Sequence, residues 1–215
     1  GAGKTTASKA LARRLDYRYI DTGALYRGVA YEIRARRADP EDEASLAAVL
    51  SDLDIHFVGT GFNVRLYSGQ TDISDRIRTP EITMLASAAS AKPAVRRALF
   101  ELQRRLGVDK AAVFEGRDMG TVVFPEADVK FFLTADLKVR AKRRYEELRH
   151  SNAQSIEAVE DDMRRRDAAD SARSLAPLKP AEDAVHIDST DKPIEAVVDE
   201  MMAHIAMKKQ NRGPA

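Results

Sequence analysis

The stretch Gly1-Ala2-Gly3-Lys4-Thr5-Thr6 opens the chain with residue types and spacing that suit binding of phosphate. A phosphate-cradling loop reads G-x-x-x-x-G-K-[ST], and Gly3, Lys4 and Thr5 supply its closing positions. Glycines let backbone N–H groups converge on phosphate oxygens, and the helix that follows presents its positive end. The lysine neutralises charge, and the threonine hydroxyl reaches a Mg²⁺ ion. The run from Thr5 to Leu15 carries Ala7, Ala10, Leu11 and Leu15 on one helical face, which is the context this motif requires. An ordinary helix start is the alternative reading. The motif's opening glycine, and the buried strand that leads into such a loop, fall ahead of Gly1. The chain is therefore expected to be an N-terminally truncated part of a longer protein.

Moving phosphoryl groups between anions requires several arginines arriving from different elements. The sequence offers Arg27, Arg117, the trio Arg140, Arg143 and Arg144, and the group Arg164, Arg165, Arg166 and Arg173. Arg143 and Arg144 lie one helical turn from Glu147 or Arg140, a pattern also typical of solvated faces worth about 0.3–0.5 kcal/mol per ion pair. Arg117 and Asp118 differ, because they follow an apolar run directly and are hemmed by Gly116 and Gly120, which suits close backbone approach. Glu115 is either an acid that orients metal-bound water or the end of a strand. His56, His150, His186 and His204 show no ligand spacing, and the absence of cysteine excludes disulfides and thiolate metal sites.

These residues need elements to hold them. Apolar periodicity predicts helices over about 5–15, 24–37, 41–50, 80–90, 93–106, 136–150, 155–170 and 193–207, with a loop over 171–178 and a frayed polar tail from Lys208. Strands are expected at Tyr17–Ile20, Ala111–Glu115, Val129–Leu133 and Ala184–Asp188. Between the helices, Asp54–Val58, Phe62–Tyr67 and Thr71–Ile73 alternate as a small antiparallel patch over about 51–77, turning at Gly59-Thr60-Gly61. Strands alternating with helices imply an α/β fold whose parallel sheet is covered on both faces, with chemistry at the strands' carboxyl ends. Asp21-Thr22-Gly23, Glu115 to Asp118, Thr134-Ala135-Asp136 and Asp188-Ser189-Thr190 occupy those ends. No internal repeat is evident.

The 215 residues are 44% hydrophobic, enough for a packed core, and 32% charged. Lys and Arg number 35 against 34 Asp and Glu, so no global field draws the chain to nucleic acid. Apolar runs are too short and too interrupted by charge to span a membrane. A cytoplasmic protein that binds neither nucleic acid nor membrane, acting as a monomer, is the expectation.

Several stretches together resemble the bacterial cytidylate kinases of the nucleoside monophosphate kinase group. They are Gly1-Ala2-Gly3-Lys4, Asp21-Thr22-Gly23-Ala24-Leu25-Tyr26-Arg27, Ile77-Arg78-Thr79-Pro80-Glu81, the run from Glu115 to Pro125, Arg166 to Asp170 with Arg173, and Ala176-Pro177-Leu178. The resemblance implies a P-loop three-layer sandwich forming a single kinase domain over 1–215, with a parallel central sheet lacking its leading strand. It also implies a monophosphate-binding antiparallel insert at 51–87 and a helical lid at 164–178.

The activity it implies is transfer of the ATP γ-phosphoryl group to CMP or dCMP, with Mg²⁺. By position, Gly1, Ala2, Gly3, Lys4, Thr5 and Thr6 would bind ATP, with Thr5 toward the metal. Lys4, Arg117, Arg144 and Arg173 would serve catalysis. Thr22, Arg27 and Arg117 would hold the acceptor phosphate, Arg166 and Asp170 the sugar, and Ser87, Arg96 and Asp118 the base, with Arg173 near the phosphates. A carboxylate opposite the cytosine N4 amine fits that last assignment, whereas uracil would face Asp118 acceptor to acceptor. The alternatives are a P-loop kinase for UMP, AMP or shikimate, and an ATP-binding regulatory protein without phosphoryl transfer.

Overall fold

A computed structural model describes residues 1–59, 64–148, 155–172 and 175–211. The first elements are α1 (Lys4–Leu15), β1 (Arg18–Asp21), α2 (Thr22–Ala35) and α3 (Glu43–Ser51). Strands β2 (Ile55–Val58), β3 (Arg65–Ser68) and β4 (Thr71–Asp72) follow, then α4 (Pro80–Ala89) and α5 (Pro93–Leu106). The chain continues through β5 (Ala112–Glu115), β6 (Phe131–Thr134), α6 (Leu137–Leu148), α7 (Ile156–Ala172), β7 (Val185–Asp188) and α8 (Ile194–Asn211). Two compact units result, Gly1–Leu15 with Arg117–Ala215, and Asp16–Gly116. The fold is mixed α/β, with parallel strand pairs and one small antiparallel sheet, as expected for a P-loop nucleoside monophosphate kinase.

In the Asp16–Gly116 unit, β1 and β5 pair in parallel with Asp21 opposite Glu115, which sets both carboxyl ends side by side. Helix α2 starts where it does because the Asp21 side chain accepts the Ala24 N–H at 3.1 Å, capping the first turn. Its buried stripe includes Leu25, Val29 and Ile33, the face expected from their spacing. The antiparallel sheet runs β2-β3-β4, with Ile55 opposite Ser68 and Tyr67 opposite Asp72. Helix and sheet meet at Gly28, where a Cβ would stand 3.1 Å from Leu66 Cδ2 and 3.4 Å from Ile55 Cδ1. Pro80 and Pro93 start α4 and α5 in their first turns, as read from the sequence. The core gathers Leu25, Ile33, Leu66, Ile77, Ile82 and Leu99. Leu25 is fully buried, so Leu25→Ala is expected to lower stability by about 2–5 kcal/mol in urea unfolding. A loss under about 1 kcal/mol would contradict this packing.

In the other unit, β6 and β7 pair in parallel from Phe131–Val185 to Thr134–Asp188. Helices α1 and α8 pack together, and Arg14 pairs with Asp199 between them. Ala7, Leu11, Ile187, Val197, Val198 and Met201 are buried.

Some boundaries differ from the sequence reading. Helix α8 continues to Asn211 where a frayed tail was expected from Lys208, and Lys208 and Lys209 in its last turn complement the helix dipole. Helix α7 runs through Ala172, taking in Ser171 and Ala172 of the expected loop. Strand β3 begins at Arg65, and the Thr60–Asn63 part of the expected turn and strand lies outside the described residues. A π-helical turn at Met119–Val123 and a 3₁₀ turn at Arg76–Arg78 gave no periodic signal, being too short to show one.

Candidate active site

The candidate residues fall in both units. In the unit containing α1, Gly3 has φ +77°, a left-handed conformation that glycine adopts without a Cβ penalty. Its carbonyl accepts the Ala7 N–H at 2.9 Å, so the loop passes directly into α1. Lys4 begins that helix, and Thr5 and Thr6 stand exposed in its first turn. The loop is pinned from beneath by Ser189, which is 4% exposed and places its hydroxyl 3.0 Å from the carbonyls of both Ala2 and Thr134. Arg143 in turn donates to the Ser189 carbonyl at 2.8 Å and the Thr190 carbonyl at 3.1 Å. Arg143 thus braces the strand-end carbonyls, a role that differs from both the phosphate-handling and the solvated-face readings of its sequence.

Cations crowd beside this loop. Arg117 Nε donates to Asp170 Oδ2 at 3.0 Å, and Asp170 is 6% exposed. Arg140 pairs with Asp167 at 2.5 Å and donates to the Ala135 carbonyl at 2.9 Å, while Arg144 pairs with Glu147 at 2.9 Å. Arg166 remains solvent-accessible as a residue, yet desolvation of its head and then the charge of Arg117 pull its pKa below the usual arginine range. Arg144 adds to that pull, while Asp170 and Asp167 oppose it. At Gly1 the ammonium is pushed down to about 5, first by burial and then by Lys4, with Arg117 and Arg140 adding and Glu147 opposing. Positive groups that raise one another's energy in this way make a local field that favours an anion. Arg164 and Arg165 differ, pairing locally with Glu160, Asp161 and Asp162 as a solvated face does.

Asp118 is 3% exposed and leads into the π-helical turn, whose Val122 N–H donates to the Asp118 carbonyl at 2.9 Å. The segment after α7 folds back on the same region, since Leu178 N–H donates to the Asp170 carbonyl at 2.9 Å. Arg173 lies outside the described residues.

In the Asp16–Gly116 unit, Thr22 is 1% exposed and donates its hydroxyl proton to the Glu115 carbonyl at 2.7 Å. Arg27 pairs with Asp21 at 2.8 Å, which spends one of its terminal N–H groups. Its buried Nε has no hydrogen-bond partner among the described residues. A buried N–H left unpaired costs about 1–3 kcal/mol, so this atom has capacity for a further acceptor. A Cβ on Gly23 would stand 3.1 Å from Asp21 Oδ1 and 3.2 Å from Arg27 Nη1, close against this ion pair. On α4 and α5, Ser90 donates to the Ser87 carbonyl at 2.7 Å and accepts Arg96 Nη1 on its own carbonyl at 3.1 Å. The Arg96 guanidinium lies 5.8 Å from the ring centroid of Tyr26, the residue before Arg27, within cation–π range. Ser87 and Arg96 are therefore joined through Ser90.

Three supporting residues carried no assignment in the sequence. Asp21 was detectable as an N-cap, an aspartate between a strand and a helix. Tyr19, whose hydroxyl donates to Glu115 Oε2 at 2.6 Å, was visible only as half of a strand. Ser189 was marked only by its place at a strand's carboxyl end; its bond to the Ala2 carbonyl, 187 positions away, gave no signal.

For Mg²⁺ the donor set is sparse. Thr5 offers a hydroxyl in the first turn of α1, and among the described residues no three His, Asp or Glu gather to hold a metal. That set fits an ion carried mainly by phosphates and water, the usual state of Mg²⁺ in phosphoryl transfer. Among the described residues no helix is long and apolar enough to cross a membrane.

Comparison with known proteins agrees with this chemistry. Residues 1–207 match the family model described as cytidylate kinase. The chain is 47% identical over 202 residues to a cytidylate kinase of Geobacter sulfurreducens, covering 94% of this chain and 87% of the relative. It is 44% identical to that of Syntrophotalea carbinolica over 216 residues, covering 100% and 92%, and 42% identical to that of Halalkalibacterium halodurans over 206, covering 95% and 93%. A glycine-lysine-threonine helix start, a field of arginines and whole-length similarity agree: the chain belongs to the cytidylate kinase family.

Proposed function

We propose that this protein transfers the γ-phosphoryl group of ATP to CMP or dCMP, giving ADP and CDP or dCDP. The observation that carries the reading is the whole-length match to the cytidylate kinase family, borne by a chain that opens on a left-handed Gly3 and a helix starting at Lys4. No observation favours UMP, AMP or shikimate as acceptor, or a purely regulatory role.

In this reading Gly1, Ala2, Gly3, Lys4, Thr5 and Thr6 take the ATP phosphates on backbone N–H groups, the helix end and the Lys4 ammonium. Thr5 holds Mg²⁺, which when bound neutralises phosphate charge and fixes phosphate orientation. Arg27 and the first turn of α2 at Thr22 hold the acceptor phosphate together with Arg117. Asp170 and Arg166 hold the sugar, and Ser87, Arg96 and Asp118 read the base. The acceptor phosphate is already a nucleophile, so alignment and charge neutralisation by Lys4, Arg117, Arg144 and Arg173 replace a strong general base. The whole chain acts as one kinase domain, with 51–87 as the acceptor insert and 164–178 as a lid that excludes water. A reducing cytoplasm suits a chain without cysteine.

ADP release measured in parallel with CMP, dCMP, UMP and AMP tests the substrate. CMP and dCMP are expected to exceed UMP in kcat/KM by roughly 10²-fold or more, the scale at which a mismatched buried polar group discriminates. Equal or better use of UMP or AMP would overturn the assignment.

A further inference from the structure

Lys130 stands just before β6, and its side chain is only 9% exposed. A buried ammonium survives only with acceptors, and this one has two. It donates to the Pro125 carbonyl at 2.5 Å and to Asp183 Oδ1 at 2.7 Å. The Lys130 carbonyl also accepts the Val185 N–H at 2.8 Å, so the residue is held by β7. Its methylene stem lies against the π-helical turn, where a Cβ on Gly120 would stand 3.0 Å from Lys130 Cδ and 3.4 Å from Cγ.

The turn so braced belongs to Asp118. Val122 and Val123 N–H groups donate to the Asp118 carbonyl at 2.9 and 3.3 Å, and Phe124 N–H closes on the Met119 carbonyl at 2.7 Å. One lysine therefore grips this turn at both ends, by contact at Gly120 and by hydrogen bond at Pro125, and ties it to the Asp183 loop. π-Helical turns are uncommon and tend to mark functional positions. No phosphate-binding task explains Lys130, whose ammonium is spent on protein acceptors.

We infer that Lys130 is a positioning residue for acceptor choice: clamping the 118–125 turn to Asp183 holds the Asp118 carboxylate in register with the base. This inference rests on the base-reading role proposed for Asp118. Displacing a recognition group by about 1 Å can cost as much as 10²-fold, so part of that is at stake when the clamp is removed. Asp183 is half-exposed on a loop, so replacing it loosens the clamp without opening a core.

The test measures kcat/KM for CMP and UMP, with the KM for ATP, in the wild type, Lys130→Met, Asp183→Ala and Asp118→Asn. Lys130→Met is expected to reduce the CMP-to-UMP ratio by roughly tenfold, and Asp183→Ala by a smaller factor in the same direction, with KM for ATP unchanged. A merely structural lysine would lower both acceptors equally and leave the ratio alone. An unchanged ratio in Asp183→Ala, and in Lys130→Met if that variant folds, with a reduced ratio in Asp118→Asn overturns the positioning role alone. An unchanged ratio in Asp118→Asn overturns the base-reading role and this inference with it.

Discussion

Lys4→Met is expected to reduce turnover with CMP by ~10²–10³-fold, the scale seen when one preorganised charge facing a reacting group is removed. Lys4 begins α1 immediately after the left-handed Gly3 and adds to the positive field at Gly1. In the proposed reaction its ammonium would balance charge that moves across the transferred phosphoryl group, so the loss is expected to fall on kcat more than on ATP affinity. Methionine keeps the length and the helix propensity of the side chain, so the thermal midpoint is expected to stay within a few degrees. The check is a coupled ADP assay beside a thermal melt. Turnover within threefold of wild type in a folded variant would remove Lys4 from the mechanism.

Arg27→Met is expected to raise KM for CMP by ~10²-fold and leave KM for ATP near its wild-type value, because the charge-assisted contact to the acceptor phosphate proposed for Arg27 would be lost. Arg27 has one terminal N–H on Asp21 and a buried Nε without a partner among the described residues. Asp21 Oδ1 would still cap α2 through the Ala24 N–H, so the helix start survives the substitution. Arg27→Lys is expected to recover only part of the affinity, since a point charge cannot reproduce the planar fork. Equal rises in the two KM values would point to general damage rather than to an acceptor-phosphate contact.

Much of this arrangement was legible in the sequence because its signals are local. The Leu25, Val29 and Ile33 stripe gave α2, and Pro80 and Pro93 marked the starts of α4 and α5. Alternation gave the antiparallel sheet. What was not legible is long-range or electrostatic. The hydroxyl that supports the phosphate loop comes from Ser189, and the lysine behind the Asp118 turn reaches Asp183, 53 positions away. The arginine clusters show the limit most clearly. Arg143, Arg144, Arg164, Arg165 and Arg166 are alike in sequence, yet Arg143 braces a loop, Arg164 and Arg165 pair along their own helix, and Arg144 and Arg166 repel each other beside Arg117. Helical periodicity identifies a face, but only the packing of α6 on α7 decides which arginines share one field.

The most direct measurement follows the phosphorus itself. ATP labelled at the γ-phosphate is mixed with the protein, Mg²⁺ and CMP, and the label is traced by chromatography. Transfer predicts label in CDP, appearing in step with ADP, and little in inorganic phosphate. Label that stays in ATP, or that passes to water at the same rate with and without CMP, would contradict the account.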